Sequence, residues 1–300
     1  MAISQVRAQI NGQWYTLTLQ ANGRYEASIT APGATSFNQP GGYYNVTVEA
    51  TNTAGTAGTA NASTVEGLKL YVKEKVPPVI TILSPSGGAY VTNNKQPVVF
   101  TITDEAGGSG VKLDSVVVKL DGSAVSAGEV SHSAISNGYS FTYTPSAALS
   151  DGDHTVTVDA TDNDGNAASQ KSTTFKVDTI PPVLNITSPT EGMVTSTAAL
   201  TVSGTTNDAT SSPVTVKITL NDADQGAVTV GGDGSFSKSI VLAEGANVIV
   251  VTAKDAAGKT SSVTRNVTLD TSVPQIVSAT ITPNPVDAGQ TMLISVEVSG

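Results

Sequence analysis

Two stretches of the chain concentrate oxygen ligands. TDEAGGSGVKLD carries Asp104, Glu105 and Asp114, and DATDNDGNAA carries Asp159, Asp162, Asp164 and Asn166. Asp178 stands just ahead of a proline pair, and Asp270 stands ahead of a later proline. Calcium takes six to eight oxygens from carboxylates, amides and backbone carbonyls, commonly in loops. Asp104, Glu105, Asp159, Asp162, Asp164 and Asp178 are therefore the candidate calcium ligands. The same residue types also initiate turns, and Asp-Gly closes hairpins. An earlier copy of the second stretch reads Asn52, Thr53, Ala54 where this one reads Asp162, Asn163, Asp164, so the fold does not require the acidity. Both readings stand, and no other cofactor is implied.

Catalytic chemistry finds little support. The histidines are His132 and His154, and SDGDHTVTV puts Asp151, Asp153 and His154 together at a turn that enters a strand. A Ser–His–Asp mechanism needs a nucleophile elbow and an oxyanion loop beside it, and neither motif is present. Paired carboxylates for glycoside hydrolysis must converge in a cleft, whereas these acids are spread over loop tips. With no cysteine, disulfides, thiolate metal sites and cysteine nucleophiles are excluded. The sequence reads as that of a protein that is not an enzyme.

Charge and composition narrow the partners. Twenty-five acidic against 15 basic residues give a net charge of −10, which repels a phosphate backbone and argues against nucleic acid. No apolar run approaches the ~18 residues of a membrane span. MAISQVRAQING has neither the basic nor the apolar region of a secretory signal. Only 13% of residues are charged and 39% are hydrophobic, mostly β-branched or small, and β-branched side chains suit pleated, half-buried sheets. Aromatic residues collect near the start, at Trp14, Tyr15, Tyr25, Phe37, Tyr43 and Tyr44. They either fill a core or offer a strip to a cell-surface glycan.

The elements that position these residues repeat. VPPVITILSPSGG at Val76, IPPVLNITSPTEG at Ile180 and VPQIVSATITPNP at Val273 each open on proline, run into an apolar strand, turn at a Ser-Pro or Thr-Pro, and reach a second strand. Later in each unit comes VTVEATNTAGT, VTVDATDNDGN or IVVTAKDAAGK. Strands of five to eight residues alternate with hairpin dipeptides at Asn11-Gly12, Asn22-Gly23, Asp121-Gly122, Asn137-Gly138 and Asp233-Gly234. Val98, Phe100 and Ile102 alternate with Val99, Thr101 and Thr103, as a strand with one buried face requires. Short strands with turns at this spacing predict an all-β fold, a string of β-sandwiches. DTIPPVLNITSPTEG followed by VTAKDAAGKTS resembles the bacterial immunoglobulin-like modules found in tandem on cell-surface and phage tail-associated proteins. The resemblance covers nearly the whole chain and implies an elongated rod of immunoglobulin-like sandwiches. It also implies a setting at the cell surface, outside the cell or on a virion, and adds weight to calcium at loop acids and linkers.

Residues 76–178 and 179–270 read as complete sandwiches; the ends do not. VRAQINGQWYTLTLQANGRYEASIT matches the middle of the third repeat, Asn11 falling on Asn221, Asn22 on Asp233 and Tyr25 on Phe236. Residues 1–75 thus lack the two opening strands, A and B, and residues 271–300 hold those two strands and nothing else. The donor face is Val277, Ala279 and Ile281 on strand A with Met292, Ile294, Val296 and Val298 on strand B. The acceptor positions are Val6, Ile10, Trp14, Leu17, Tyr25, Val46 and Val48. Burying seven such positions gives a gross gain on the order of 10 kcal/mol before ordering entropy is subtracted. Sandwiches roughly 30 Å long on short proline-stiffened linkers keep the two halves of one chain apart. The expectation is a homopolymer in which each chain completes the next, head to tail, as an extracellular filament. A chain that continues into further strands, a closed ring, an adhesin that binds glycans as a monomer, and the non-catalytic appendage of a cell-wall enzyme are the alternatives.

Overall fold

The computed structural model describes residues 2–300, and every regular element longer than a single turn is a β-strand. The chain divides into one compact unit that ends at Val177 and another that spans Asp178–Gly300. The first unit opens with β1 (Ile3–Ile10), β2 (Gln13–Leu19), β3 (Tyr25–Glu26), β4 (Tyr44–Asn45), β5 (Thr47–Asn52), β6 (Ala57–Ala60) and β7 (Lys69–Leu70). It continues with β8 (Val79–Ser84), β9 (Ala89–Val91), β10 (Val98–Thr103), β11 (Val117–Leu120), β12 (Ser123–Ala124), β13 (Val130–Ile135), β14 (Gly138–Tyr143), β15 (Gly152–Asp159) and β16 (Lys171–Val177). The second unit holds β17 (Val183–Ser188), β18 (Met193–Thr195), β19 (Ala199–Asn207), β20 (Thr215–Leu220), β21 (Ala223–Asp224), β22 (Ser235–Val241), β23 (Gly245–Lys254) and β24 (Thr260–Leu269). β25 (Gln275–Thr282) and β26 (Leu293–Ser299) close it.

Strands β8–β16 build a two-sheet sandwich, ordered β13-β14-β10-β8 against β12-β11-β15-β16-β9. The alternation of β10 is realised: Val98, Phe100 and Ile102 are fully buried while their neighbours are half-exposed. Phe100 lies directly opposite Phe141, and the rings stack with centroids 5.0 Å apart. Val118, Val156, Val158, Phe175 and Val177 close this core from the other sheet. Strands β17–β24 repeat the plan as β17-β19-β22 against β18-β24-β23-β20-β21, around Val202, Ile218, Phe236, Ile249 and Val251.

Two local features depart from the sequence reading. After its Ser-Pro the opening strand does not turn straight into the second strand. It crosses to the other sheet, where β9 pairs in parallel with β16 and β18 with β24. These strands are three residues long, too short to show an alternation. The hairpin turn of the third repeat is Asn221-Asp222, with φ of 50° and 67°. It adopts the geometry of Asn11-Gly12 and Asp121-Gly122 without a glycine, because Asn and Asp tolerate the left-handed region.

The first 75 residues differ in kind. Their main sheet runs β3-β2-β1-β5-β6, the counterpart of β12-β11-β15-β16 and of β21-β20-β23-β24, and the other paired strands among the described residues of this segment are β4 and β7. The sheet formed by β8, β10 and β14, or by β17, β19 and β22, has no counterpart among the described residues of this segment. Phe236 lies opposite Gly204 of β19. Tyr25, its equivalent, has no such strand to join and pairs with Leu19 at the other edge, in a strand of two residues. Neither of the two large buried clusters includes a residue of this segment.

Candidate assembly site

The face that the missing sheet would cover can be read from the register. β1 pairs with β2 through Val6↔Leu17 and Ala8↔Tyr15, and with β5 through Val6↔Ala50 and Ala8↔Val48. Residues directly opposite share a face, so Val6, Ala8, Tyr15, Leu17, Val48 and Ala50 form one apolar surface, extended by Ile10 on β1 and by Leu19 and Tyr25. Val6 and Ala8 are buried, Ile10, Leu17, Tyr25, Val46 and Val48 are half-buried, and Leu19 is exposed. Trp14 does not belong to this set. It pairs with Gln9, whose side chain points to the opposite side of the sheet. There the Arg7 guanidinium lies 4.2 Å over its ring and bonds Glu49 at 2.7 Å. Trp14, expected among the acceptor positions, thus lies on the face opposite to Val6 and Leu17. A period-two strand fixes only relative faces, and Trp14 is out of phase with Val6 once the two-residue turn sets the register.

The hairpin β25–β26 stands alone as a two-stranded sheet. It is antiparallel, like β8–β10 and β17–β19. Ile281 lies opposite Ile294, Ala279 opposite Val296, and Ile276 opposite Val298. A bulge between Ile276 and Ser278 makes Val277 the extra residue, so Ile276 and not Val277 lies opposite Val298 and shares the face of Ala279 and Ile281. Met292 precedes the strand by one residue. Every residue of both strands is exposed, Ile294, Val296 and Val298 at 56, 49 and 64%. The linker from Pro283 to Met292 forms no parallel strand of the kind made by β9 and β18.

The acidic residues gather into two clusters. In the first unit Glu74, Asp104 and Glu105 bring carboxylate oxygens within 4.8 Å of one another. Asp104 Oδ2 accepts from the Gly110 amide at 2.7 Å, while its Oδ1 and Glu105 Oε2 are buried without a hydrogen-bond partner. Burial, together with Asp104 and Glu74 alongside, pushes the Glu105 carboxyl up to about 7. Asp162 is fully buried and accepts from the Gly165 and Asn166 amides and the Asn166 side chain. Burial raises its pKa, but these bonds outweigh that and hold it low. Asp164 accepts from Thr35 at 2.6 Å and from the Glu74 amide at 3.0 Å. Asp159 joins no cluster, because it lies on β15 with both oxygens held by Gln170. Asp178 belongs elsewhere, with Asp208 and Asp255 in the second unit.

In that second cluster all three acids are buried, at 0, 7 and 5% exposure, with oxygens within 4.8 Å. Ser211 donates its hydroxyl to Asp178, Asp208 accepts from the Thr210 and Ser211 amides, and Asp255 Oδ1 accepts from the Lys259 amide. Asp255 Oδ2 has no partner. Sequence reasoning missed Glu74, Asp208 and Asp255, yet a signal was there. Glu74 and Asp178 each stand three residues before a proline, Asp104 and Asp208 each follow the second strand directly, and Asp162 and Asp255 each stand three residues before a turn glycine. Asn52 takes that last place in the first segment, bonding the Ala54 and Thr56 amides.

The histidines serve structure. His154 is buried, with Nδ1 2.8 Å from Asp121 and Nε2 2.9 Å from the Ser150 carbonyl. His132 is exposed on β13 and packs its ring against Tyr139 and Phe141.

Comparisons with known proteins agree with this architecture. Residues 84–179 match the family model described as a bacterial Ig-like domain, and residues 182–271 match the one described as glucodextranase, domain B. Among curated proteins nothing matches. The chain is similar to the fibronectin(III)-like modules of Clostridium thermocellum CbhA, at 17% identity over 64% of this chain and 94% of that one, with a TM-score of 0.40. It is similar to a multidomain segment of titin, at 16% identity over 87% and 85% with a TM-score of 0.41. It is also similar to a 1.5-MDa bacterial ice-binding adhesin, at 22% identity over 90% and 88% with a TM-score of 0.33. Among the described residues no helix is long and apolar enough to cross a membrane. Residues 84–179 thus match a bacterial Ig-like domain, and the strands of residues 182–271 repeat its two-sheet plan, so the chain holds two whole β-sandwiches in succession.

Proposed function

We propose that this protein is a structural fibre subunit, in which β25–β26 of one copy completes the open first sandwich of the next. The observation that carries the reading is the pairing of two defects. An apolar hairpin is exposed along both strands, and a single sheet stands without the opposing sheet to which such a hairpin belongs in the other two repeats. An isolated two-stranded hairpin is marginal in water, and a sheet with free edges invites strand pairing. The contact is heterologous, so it propagates into an open filament unless the rotation closes it. Such a fibre fits an extracellular, cell-surface or virion-borne setting. The test is negative-stain microscopy and sedimentation of the full chain beside a chain ending at Ser272. Concentration-dependent fibres in the first and none in the second support the joint; fibres in both refute it.

A second reading concerns the acids. We infer a divalent cation, calcium by its oxygen preference, at Asp178, Asp208 and Asp255 and at Glu74, Asp104 and Glu105. Three buried carboxylates within 4.8 Å, with Asp255 Oδ2 unpartnered, are costly without a compensating positive charge. Thermal melting with calcium, with magnesium and with chelator tests it. Calcium raises the melting temperature of the wild type and not of the double variant Asp104→Asn, Asp255→Asn, which alters both clusters; equal melting of the wild type with and without calcium sinks the reading.

A further inference from the structure

The first segment contains a polar cavity of about 480 Å³. Its origin lies in the start of one strand. In the second sandwich the turn residue Asp121 accepts from the Thr155 amide at 2.8 Å and binds His154 at 2.8 Å. In the third, Asn221 accepts from the Val248 amide at 2.8 Å and donates to Asn247 at 3.1 Å. The turn is thereby closed onto the strand beside it. Asn11 and Tyr44 occupy the equivalent places in the first segment. There β5 leaves β1 after Gln9↔Thr47, one pair earlier than the equivalent strands separate, and Tyr44–Asn45 instead pairs with β7. The Tyr44 hydroxyl donates to the Ala34 carbonyl at 3.1 Å. The cavity opens where the strand has peeled away.

Its lining is specific in chemistry. Gln9, Asn11, Gln39, Asn45 and Asn61 bring five carboxamides to it, Tyr43 forms a wall, and no lining residue is charged. Among the described residues the Asn11 and Gln39 side chains make no hydrogen bond. Tyr43 is held in place by Tyr71, ring centroids 6.1 Å apart, and by the Lys69 ammonium 5.1 Å from its ring. A carboxamide donates and accepts at once, which matches a hydroxyl that also does both. The absence of charge disfavours phosphates, carboxylates and cations. The volume lies within the ~300–1,000 Å³ of small-molecule sites.

The geometry points to a binding site for a neutral saccharide, with the Asn11 and Gln39 carboxamides available to bond its hydroxyls and Tyr43 as the preset wall. None of its lining residues lies on the β25–β26 hairpin.

Saturation-transfer NMR and calorimetry on the full chain test it with four neutral disaccharides: maltose, cellobiose, lactose and N,N′-diacetylchitobiose. At least one binds at millimolar concentration, and the double variant Asn11→Gly, Gln39→Ala weakens it at least tenfold. Glycine is chosen at position 11 because φ is +50° there, which glycine adopts without strain. An unchanged circular dichroism spectrum and melting curve confirm that the variant folds. If none of the four binds the wild type, or if the double variant binds as tightly as the wild type, the assignment is wrong.

Discussion

Val296→Asp is the sharpest test of the proposed joint. Val296 sits mid-strand opposite Ala279 and is 49% exposed. In the completed sandwich it faces the surface of Val6, Leu17 and Val48. Fully burying a valine is worth ~1.5–3 kcal/mol, and the side chain is already half covered, so docking gains about 1 kcal/mol from it. The aspartate forfeits that gain and must also desolvate a charge with no partner, which costs several kcal/mol in an apolar site. The sum is at least ~3 kcal/mol, or about 100-fold or more in dissociation constant. Leu293→Asp is the control. It lies on the same strand with its side chain on the opposite face and 68% exposed, so the joint keeps its affinity within a few fold. Sedimentation velocity over a concentration series reads both. A Val296→Asp chain that assembles like the wild type, or a wild type that stays monomeric throughout, would refute the reasoning.

Other residues give independent tests. Leu17→Asp disrupts assembly while Trp14→Ala leaves it unchanged, because Leu17 shares the face of Val6 and Trp14 lies under Arg7 on the other side; the same sedimentation series distinguishes them. Burial lowers the His154 pKa, but its hydrogen bonds to the Ser150 carbonyl and to Asp121 outweigh that and raise it. Its contribution to stability is therefore complete below about pH 6.5 and is lost as pH rises through the elevated folded value. His154→Ala accordingly costs ~1.5–3 kcal/mol at pH 5 and less at pH 9, read by urea denaturation. At Gly204 a Cβ would lie 2.2 Å from the Asn185 carbonyl and 2.8 Å from the Phe236 ring. Gly204→Ala therefore destabilises the third sandwich by ~1–3 kcal/mol or more, a drop in its urea midpoint that Ser203→Ala does not reproduce.

Much was legible from residue order alone. Alternation in VVFTIT, the positive-φ pairs at Asn11-Gly12 and Asp121-Gly122, and the proline lead-ins at Val76, Ile180 and Val273 are local signals. Hydrophobic period and turn chemistry act over a few residues, so an all-β tandem sandwich followed from them. The same period gave the apolar positions of the last two strands and of the first segment. What the tertiary structure decided depends on register and on approach across long sequence separations. A bulge exchanged Ile276 for Val277, and the pairing to Gln9 turned Trp14 away from Val6. Asp208 and Asp255 met Asp178, while Asp159 was taken by Gln170. The polar cavity exists because one strand leaves its neighbour a single pair early. One residue of slip reverses every side chain of a strand, and no stretch of sequence records where its partner will stop.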